Sequence, residues 1–117
     1  MRSHFDFSDI YLHRDPVDFR KAINGLSKIV TDELDKSCFQ EALFIFCNKH
    51  RNKLKILYWD KTGFCLWHKR LEEDKFKWPK KHANHCIEFT SEQLDWLLRG
   101  LDISKLTPHL DKIYDDF

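Results

Sequence analysis

Lys53-Leu54-Lys55-Ile56-Leu57-Tyr58-Trp59-Asp60-Lys61-Thr62-Gly63-Phe64-Cys65-Leu66-Trp67-His68-Lys69-Arg70 decides the fold. Two runs of aliphatic and aromatic residues interleaved with basic ones flank a short polar, glycine-bearing connection, the signature of an antiparallel hairpin. A three-residue loop, Lys61-Thr62-Gly63 with Gly63 left-handed, would close a bulge and set Asp60 opposite Phe64. One face then carries Leu54, Ile56, Tyr58, Phe64 and Leu66 and reads as core. The other carries Lys53, Lys55, Leu57, Trp59, Cys65, Trp67 and Lys69. In this register Lys55 stands opposite Lys69, a like-charge pair that is unfavourable unless an anion lies between them. A four-residue loop would shift the pairing by one and mix the faces.

Upstream, Leu43-Phe44-Ile45-Phe46-Cys47 is a short apolar run suited to a central strand, and Asn48 to Asn52 makes the turn into the hairpin. Ile10-Tyr11-Leu12-His13 reads as a further short strand. Between them, Phe19, Ala22, Ile23, Leu26, Ile29, Val30 and Leu34 recur at helical spacing. Asp15 as N-cap and Pro16 in the first turn predict a helix from there to about residue 35. Gly25 inside it suggests close packing against the sheet. Downstream, Glu72-Glu73-Asp74 turns the chain, and Lys75-Phe76-Lys77-Trp78 suggests a short edge strand ended by Pro79. Thr90-Ser91-Glu92-Gln93 is a capping box for a second helix, with Leu94, Leu97, Leu98 and Leu101 as its buried stripe and Gly100 as its stop. Thr107-Pro108 suggests one more short helix. The expected fold is α+β: a small antiparallel sheet, the central hairpin plus short strands, packed against two main helices.

A chain of 117 residues fits a single domain, 1–117. Ten Phe, four Trp and three Tyr demand a packed core rather than disorder. No apolar run approaches the ~20 residues of a membrane span, and the N-terminus lacks the apolar stretch of a signal peptide, so a cytoplasmic location is expected. Cys38, Cys47, Cys65 and Cys86 are scattered and read as reduced, partly buried thiols. The net charge of +1 conceals a strong asymmetry: residues 49–81 carry eleven Lys/Arg against four Asp/Glu, between two acidic ends. Such a basic centre can steer polyanions.

Cationic side chains interleaved with flat rings suit nucleic acid, because the cations neutralise phosphates and the rings stack on unpaired bases. The candidates are Arg20, Lys21, Arg51, Lys53, Lys55, Lys69, Arg70, Lys75, Lys77, Lys80 and Lys81, with Trp59, Trp67 and Trp78. The competing interpretation puts the tryptophans in the core or an interface and leaves the lysines to solubilise the sheet. A zinc site from Cys65, His68, His82, His85 and Cys86 is disfavoured, because residues three apart on a strand point to opposite faces. There is no phosphate-cradling glycine loop, no nucleophile motif and no convergent carboxylate set. Neither a catalytic residue, nor a metal site, nor a cofactor is expected.

The ordered run Trp59-Asp60-x2-Gly63-Phe64-Cys65-Leu66-Trp67, then Lys69-Arg70-Leu71-Glu72, then Phe76-Lys77-Trp78-Pro79 resembles the small TnpB-type accessory proteins encoded by the second reading frame of a class of bacterial insertion sequences. These are unrelated to the RNA-guided nucleases of the same name. The likeness extends through Pro16-Val17-Asp18-Phe19-Arg20-Lys21 and Asn24-Gly25-Leu26 to Leu97-Leu98-Arg99-Gly100-Leu101, covering about residues 8–103 and leaving 104–117 as a tail. Its hallmark positions here are Asp18, Arg20, Gly25, Leu26, Lys55, Trp59, Gly63, Lys69, Arg70, Leu71, Phe76, Trp78 and Pro79. Two departures stand out: Glu73-Asp74 replaces a basic residue and glycine, and Phe19 replaces the more usual Met.

The resemblance implies a non-catalytic accessory protein for DNA transposition. Its implied partners are DNA, at element ends or target, and a separate DDE-type transposase with the other element-encoded proteins. A second copy of the chain and a pure protein-interaction module without DNA contact are the alternatives carried forward.

Overall fold

Ala42–Cys47 is buried at every residue, so the chain must cover this strand on both faces. The structure, a computed structural model describing residues 7, 9–79 and 84–101, shows how. The elements are β1 (Asp9–His13), α1 (Ile23–Asp32), β2 (Ala42–Cys47), β3 (Lys53–Asp60), β4 (Gly63–Arg70), β5 (Cys86–Phe89) and α2 (Ser91–Leu98). One sheet runs in the order β4-β3-β2-β1-β5. β1 and β2 are parallel, bridged by α1, and the other neighbours are antiparallel. The fold is α+β as expected, with one parallel pair and with β5 as a strand the pattern did not reveal.

Strand alternation divides the core in two. On one face Leu12, Ile45, Ile56, Ile87, Leu94 and Leu97 pack together, joined by Phe76 and Trp78. On the other, Tyr11, Phe44, Phe46 and Leu57 receive Leu26, Ile29, Val30 and Leu34. The helices thus lie on opposite faces of the sheet.

α1 begins at Ile23, not near Pro16, and its N-cap residue Ala22 offers no capping side chain. The reason lies in the carbonyls that precede it. A helix starting at Pro16 would commit the Phe19 and Lys21 carbonyls to the amides of Ile23 and Gly25. Instead both accept from the Lys55 ammonium, each at 2.9 Å. Upstream, the Val17 amide donates to the Cys47 carbonyl at 2.9 Å, which ties the segment to the end of β2. Gly25 does not serve the sheet: a Cβ there would lie 3.1 Å from the Lys21 stem.

The Lys75–Trp78 segment is not a strand. Its Phe76 amide donates to the Arg51 carbonyl and its Trp78 amide to the Phe76 carbonyl, so no ladder forms, although Phe76 and Trp78 are buried. α2 matches its sequence signals. Thr90 and Gln93 form the reciprocal capping box, and Gly100 takes φ 81°. The Gly100 and Leu101 amides close back on Leu97 and Trp96, as in a Schellman ending. Leu101, expected in the buried stripe, is exposed. The short helix expected at Thr107-Pro108 lies outside the described residues.

The hairpin register differs from the expected one. Asp60 pairs with Gly63, Trp59 with Phe64 and Lys55 with His68, so the connection is the two residues Lys61-Thr62. Lys61, not Gly63, carries the positive φ, 54°. Cys65 and Trp67 therefore share a face with Tyr58 and Ile56, while Phe64 and Leu66 share one with Trp59 and Leu57. A Cβ at Gly63 would meet open space, and its φ is not left-handed. Gly63→Ala should therefore stabilise the protein by about 0.5 kcal/mol in urea denaturation by restricting the unfolded chain. A loss of 1 kcal/mol or more, on the order expected for Ala forced into a left-handed position, would restore the bulged register.

Candidate nucleic-acid interface

The observed register changes the cations that share a face: His68 and Arg70 join Lys53 and Lys55 in place of Lys69. Lys53 pairs with Arg70 and Lys55 with His68, and directly opposed residues share a face. The four side chains therefore project together on the α1 side of the sheet. Arg20 and Lys21 stand beside them, because their segment is anchored through the two carbonyls that Lys55 holds. The like-charge pair expected for Lys55 and Lys69 does not exist. Lys53 against Arg70 is the like-charge pair instead.

Lys55 itself is not an available phosphate ligand. Only 8 % of it is exposed, and its ammonium lies 4.7 Å from the centre of the Phe19 ring. Burial and the neighbouring Lys53 charge hold its pKa below the usual lysine range. It acts as an internal clamp on the strand-to-helix segment. The surface cations are Arg20, Lys21 and Arg70, with Lys53 half-buried. Each guanidinium has an acidic neighbour: Arg20 Nη2 lies 2.6 Å from Asp18 Oδ2, and Arg70 Nε 2.8 Å from Glu72 Oε2. The Arg20 contacts, first its side chain and then its amide, pull the Asp18 carboxyl down to about 2.

His68 is the member that the sequence offered only as a disfavoured zinc ligand and not as a nucleic-acid candidate. Its ring meets the Phe19 ring edge-on at 5.8 Å, which desolvates part of an otherwise exposed side chain. That burial, then the charges of Lys55, Lys53 and Arg70, lower its pKa below the ordinary imidazole value. Its alternation with Arg70 along β4 was the available signal, once the pairing was known.

The remaining candidates disperse. Lys69 faces the α2 side, and its ammonium donates to the Leu98 carbonyl at 2.8 Å, capping that helix's C-terminus. Trp67 packs half-buried against the α2-side core. Trp78 is only 6 % exposed, with its indole N–H directed to the His13 and Arg14 carbonyls, so it is core rather than a stacking platform. Arg51 sits in the β2–β3 turn and reaches the Cys47 sulfur at 3.2 Å. Lys75 and Lys77 are exposed on the segment crossing the opposite face, beside Asp74. Lys80 and Lys81 lie outside the described residues.

Trp59 belongs to an aromatic cluster at the hairpin tip, 5.1 Å from Phe39 and 5.0 Å from Phe64 between ring centroids. Phe39 is 61 % exposed and was not among the sequence candidates, since it stands alone in a polar stretch. Cys65 and His68 fall on opposite faces, as strand geometry requires. Among the described residues no three His, Cys, Asp or Glu side chains are grouped to hold a metal ion, and no helix is long and apolar enough to cross a membrane. The four thiols are free, and burial pushes that of Cys47 up to about 12.

The family model described as IS66 Orf2 like protein matches residues 8–108. The chain is 33% identical over 91 residues to the uncharacterized protein y4jC of Sinorhizobium fredii (strain NBRC 101917 / NGR234), covering 78% of this chain and 77% of that one. It is 32% identical over 85 residues to the uncharacterized protein y4hO of the same strain, covering 73% of each. No solved structure matches the chain.

Because the Lys55 ammonium serves two backbone carbonyls, Lys55→Met should cost about 2 kcal/mol, the scale of lost charge-assisted hydrogen bonds. Urea denaturation measures the loss. Hydrogen exchange of residues 17–25 should accelerate more than that of β2.

Proposed function

The chain belongs to the IS66 Orf2-like family, and on that premise we propose that it serves transposition by holding nucleic-acid phosphates on the α1 side of its sheet. The family is an accessory one, tied to the transposition of its insertion sequence and without a known catalytic activity. The proposed ligands are Arg20, Lys21, Lys53 and Arg70, with His68 between Lys55 and Arg70 on the same face.

The observation that carries this reading is the direct opposition of Lys53 and Arg70 next to the Lys55–His68 pair. Like charges facing each other across a ladder are unfavourable, and an anion between them reverses the sign. Glu72 pairs with Arg70 at the exposed surface, where an ion pair is weak and readily exchanged. Phosphate oxygens can replace that carboxylate with the same bidentate geometry. The exposed Phe39 ring favours a second reading, a protein contact with the transposase at the hairpin tip, since aromatic side chains anchor interfaces.

Labelled element-end and random duplexes, titrated at several salt concentrations, test the phosphate reading. Four contacts give a slope of log K against log[salt] of about −3 to −4. Lys53→Glu with Arg70→Glu should lower affinity at least about tenfold for both duplexes, because phosphate contacts carry no sequence information. Phe39→Ala should leave DNA binding unchanged. No binding to either duplex at low salt, with transposase binding that is lost in Phe39→Ala, would give the function to the protein contact.

The lowered pKa of His68 adds a sign to the pH dependence. The ring is neutral at neutral pH, and an adjacent phosphate favours its protonated form. Affinity should therefore rise several-fold as pH falls from about 7.5 to about 5.5. Fluorescence anisotropy should show that rise in the parent protein and a flat profile in His68→Asn.

A further inference from the structure

β4 is an edge strand with an unusual make-up. Among the described residues it has a ladder partner only on its β3 side. All eight residues from Gly63 to Arg70 are paired with β3 in unbroken register, so neither bulge nor proline interrupts the outer edge. The opposite edge, β5, has only four residues. Exposed edges of this length are normally blunted by a bulge, a proline or a central charge. Here the centre is Phe64-Cys65-Leu66-Trp67, apolar on both faces and only half-buried, with the charges confined to Lys69 and Arg70 at one end.

We propose that the β4 edge is the interface of a homodimer, formed by antiparallel pairing of two β4 strands into one continuous sheet. The strand's own charge distribution selects this occupant. Antiparallel apposition sets the basic end of each copy against the apolar end of the other, whereas a parallel one would stack like charges. A two-fold axis normal to the sheet keeps each residue on its own face, so only residues of equal parity pair. Centred on Leu66, the pairing sets Leu66 against the partner's Leu66, Cys65 against the partner's Trp67, and Phe64 against the partner's His68. Apolar side chains then meet at the centre on both faces.

The dimer also deepens the phosphate reading, on which this one consequence rests. The symmetry leaves both basic patches on the same face of the sheet. In the Leu66-centred register the two Arg70 positions are separated by roughly 27 Å along the strands, at about 3.4 Å per residue. One duplex lying across that face could engage both, so the second contact becomes intramolecular.

Sedimentation equilibrium of the full chain without DNA tests the dimer separately from any nucleic-acid role. The mass should approach twice the 14.2 kDa of one chain at micromolar concentration and above. Leu66→Lys and Leu66→Glu, each placing identical charges on the two-fold axis, should be monomeric, and their equimolar mixture should return to dimer mass. Amide exchange on the parent protein serves if either variant fails to fold: the outer amides of residues 63–70 should gain protection with rising concentration. A parent protein that stays monomeric would overturn the proposal. So would a dimer whose β4 amides exchange equally fast at all concentrations, or one that both Leu66 variants leave intact. A parent dimer that binds no DNA would retain the interface and remove only the phosphate reading.

Discussion

A two-residue connection, Lys61-Thr62, with Asp60 opposite Gly63, fixes which side of the sheet every β4 side chain occupies. Moving the register by one residue would carry Phe64 and Leu66 away from Leu57 and Trp59 and bring Cys65 and Trp67 into their place. The cationic set would change its members at the same time, because Lys69 would replace His68 and Arg70 on the face of Lys53 and Lys55. The core and the basic patch therefore depend on one geometric choice. That choice is held by β3 and β4 pairing along their whole length.

Lys55 shows how a charge can be structural in such a sheet. Its strand position points it into the layer between sheet and α1, where an unpaired ammonium would be costly. The Phe19 and Lys21 carbonyls satisfy it, and in doing so they deny those carbonyls to a longer helix. The β1-to-α1 connection becomes an ordered non-helical segment, with a turn closed by the Lys21 amide on the Asp18 carbonyl, rather than two more helical turns. It also places Arg20 and Lys21 beside β3 and β4. A buried cation thus positions exposed ones, and the charge asymmetry of residues 49–81 overstates how many of its members face solvent together.

The strands β1 to β4, the existence of both helices and the α2 capping box were legible because period-two and period-3.6 patterns and the Thr90–Gln93 spacing are local signals. The register was not, for a physical reason. β4 is apolar at both parities, Phe64 and Leu66 on one and Cys65 and Trp67 on the other, and both faces of the sheet are covered. Alternation could not choose between them, and Gly63 in the loop favoured a bulge that Lys61 makes unnecessary by taking the positive φ. Asp15 and Pro16 resembled a helix start, but the Lys55 hydrogen bonds are long-range and leave no local trace. β5 was missed because four residues, Cys86–Phe89, offer too short an alternation. Trp78 matched a stacking residue in composition, while its buried indole N–H bonds can be seen only in three dimensions.

Asp18 and Glu72 give the patch its chemical character. Each holds an arginine head group in place at the surface, so the guanidiniums lose little further rotamer freedom when an anion replaces the carboxylate. The same carboxylates reduce the positive field of the patch. On the phosphate reading, a strand face of this kind would meet backbone charge and presents no helix to lay in a groove against base edges. On the phosphate reading, sequence choice cannot come from this surface. It must come from whatever the chain works beside, which is the division of labour expected of an accessory protein rather than of a recombinase.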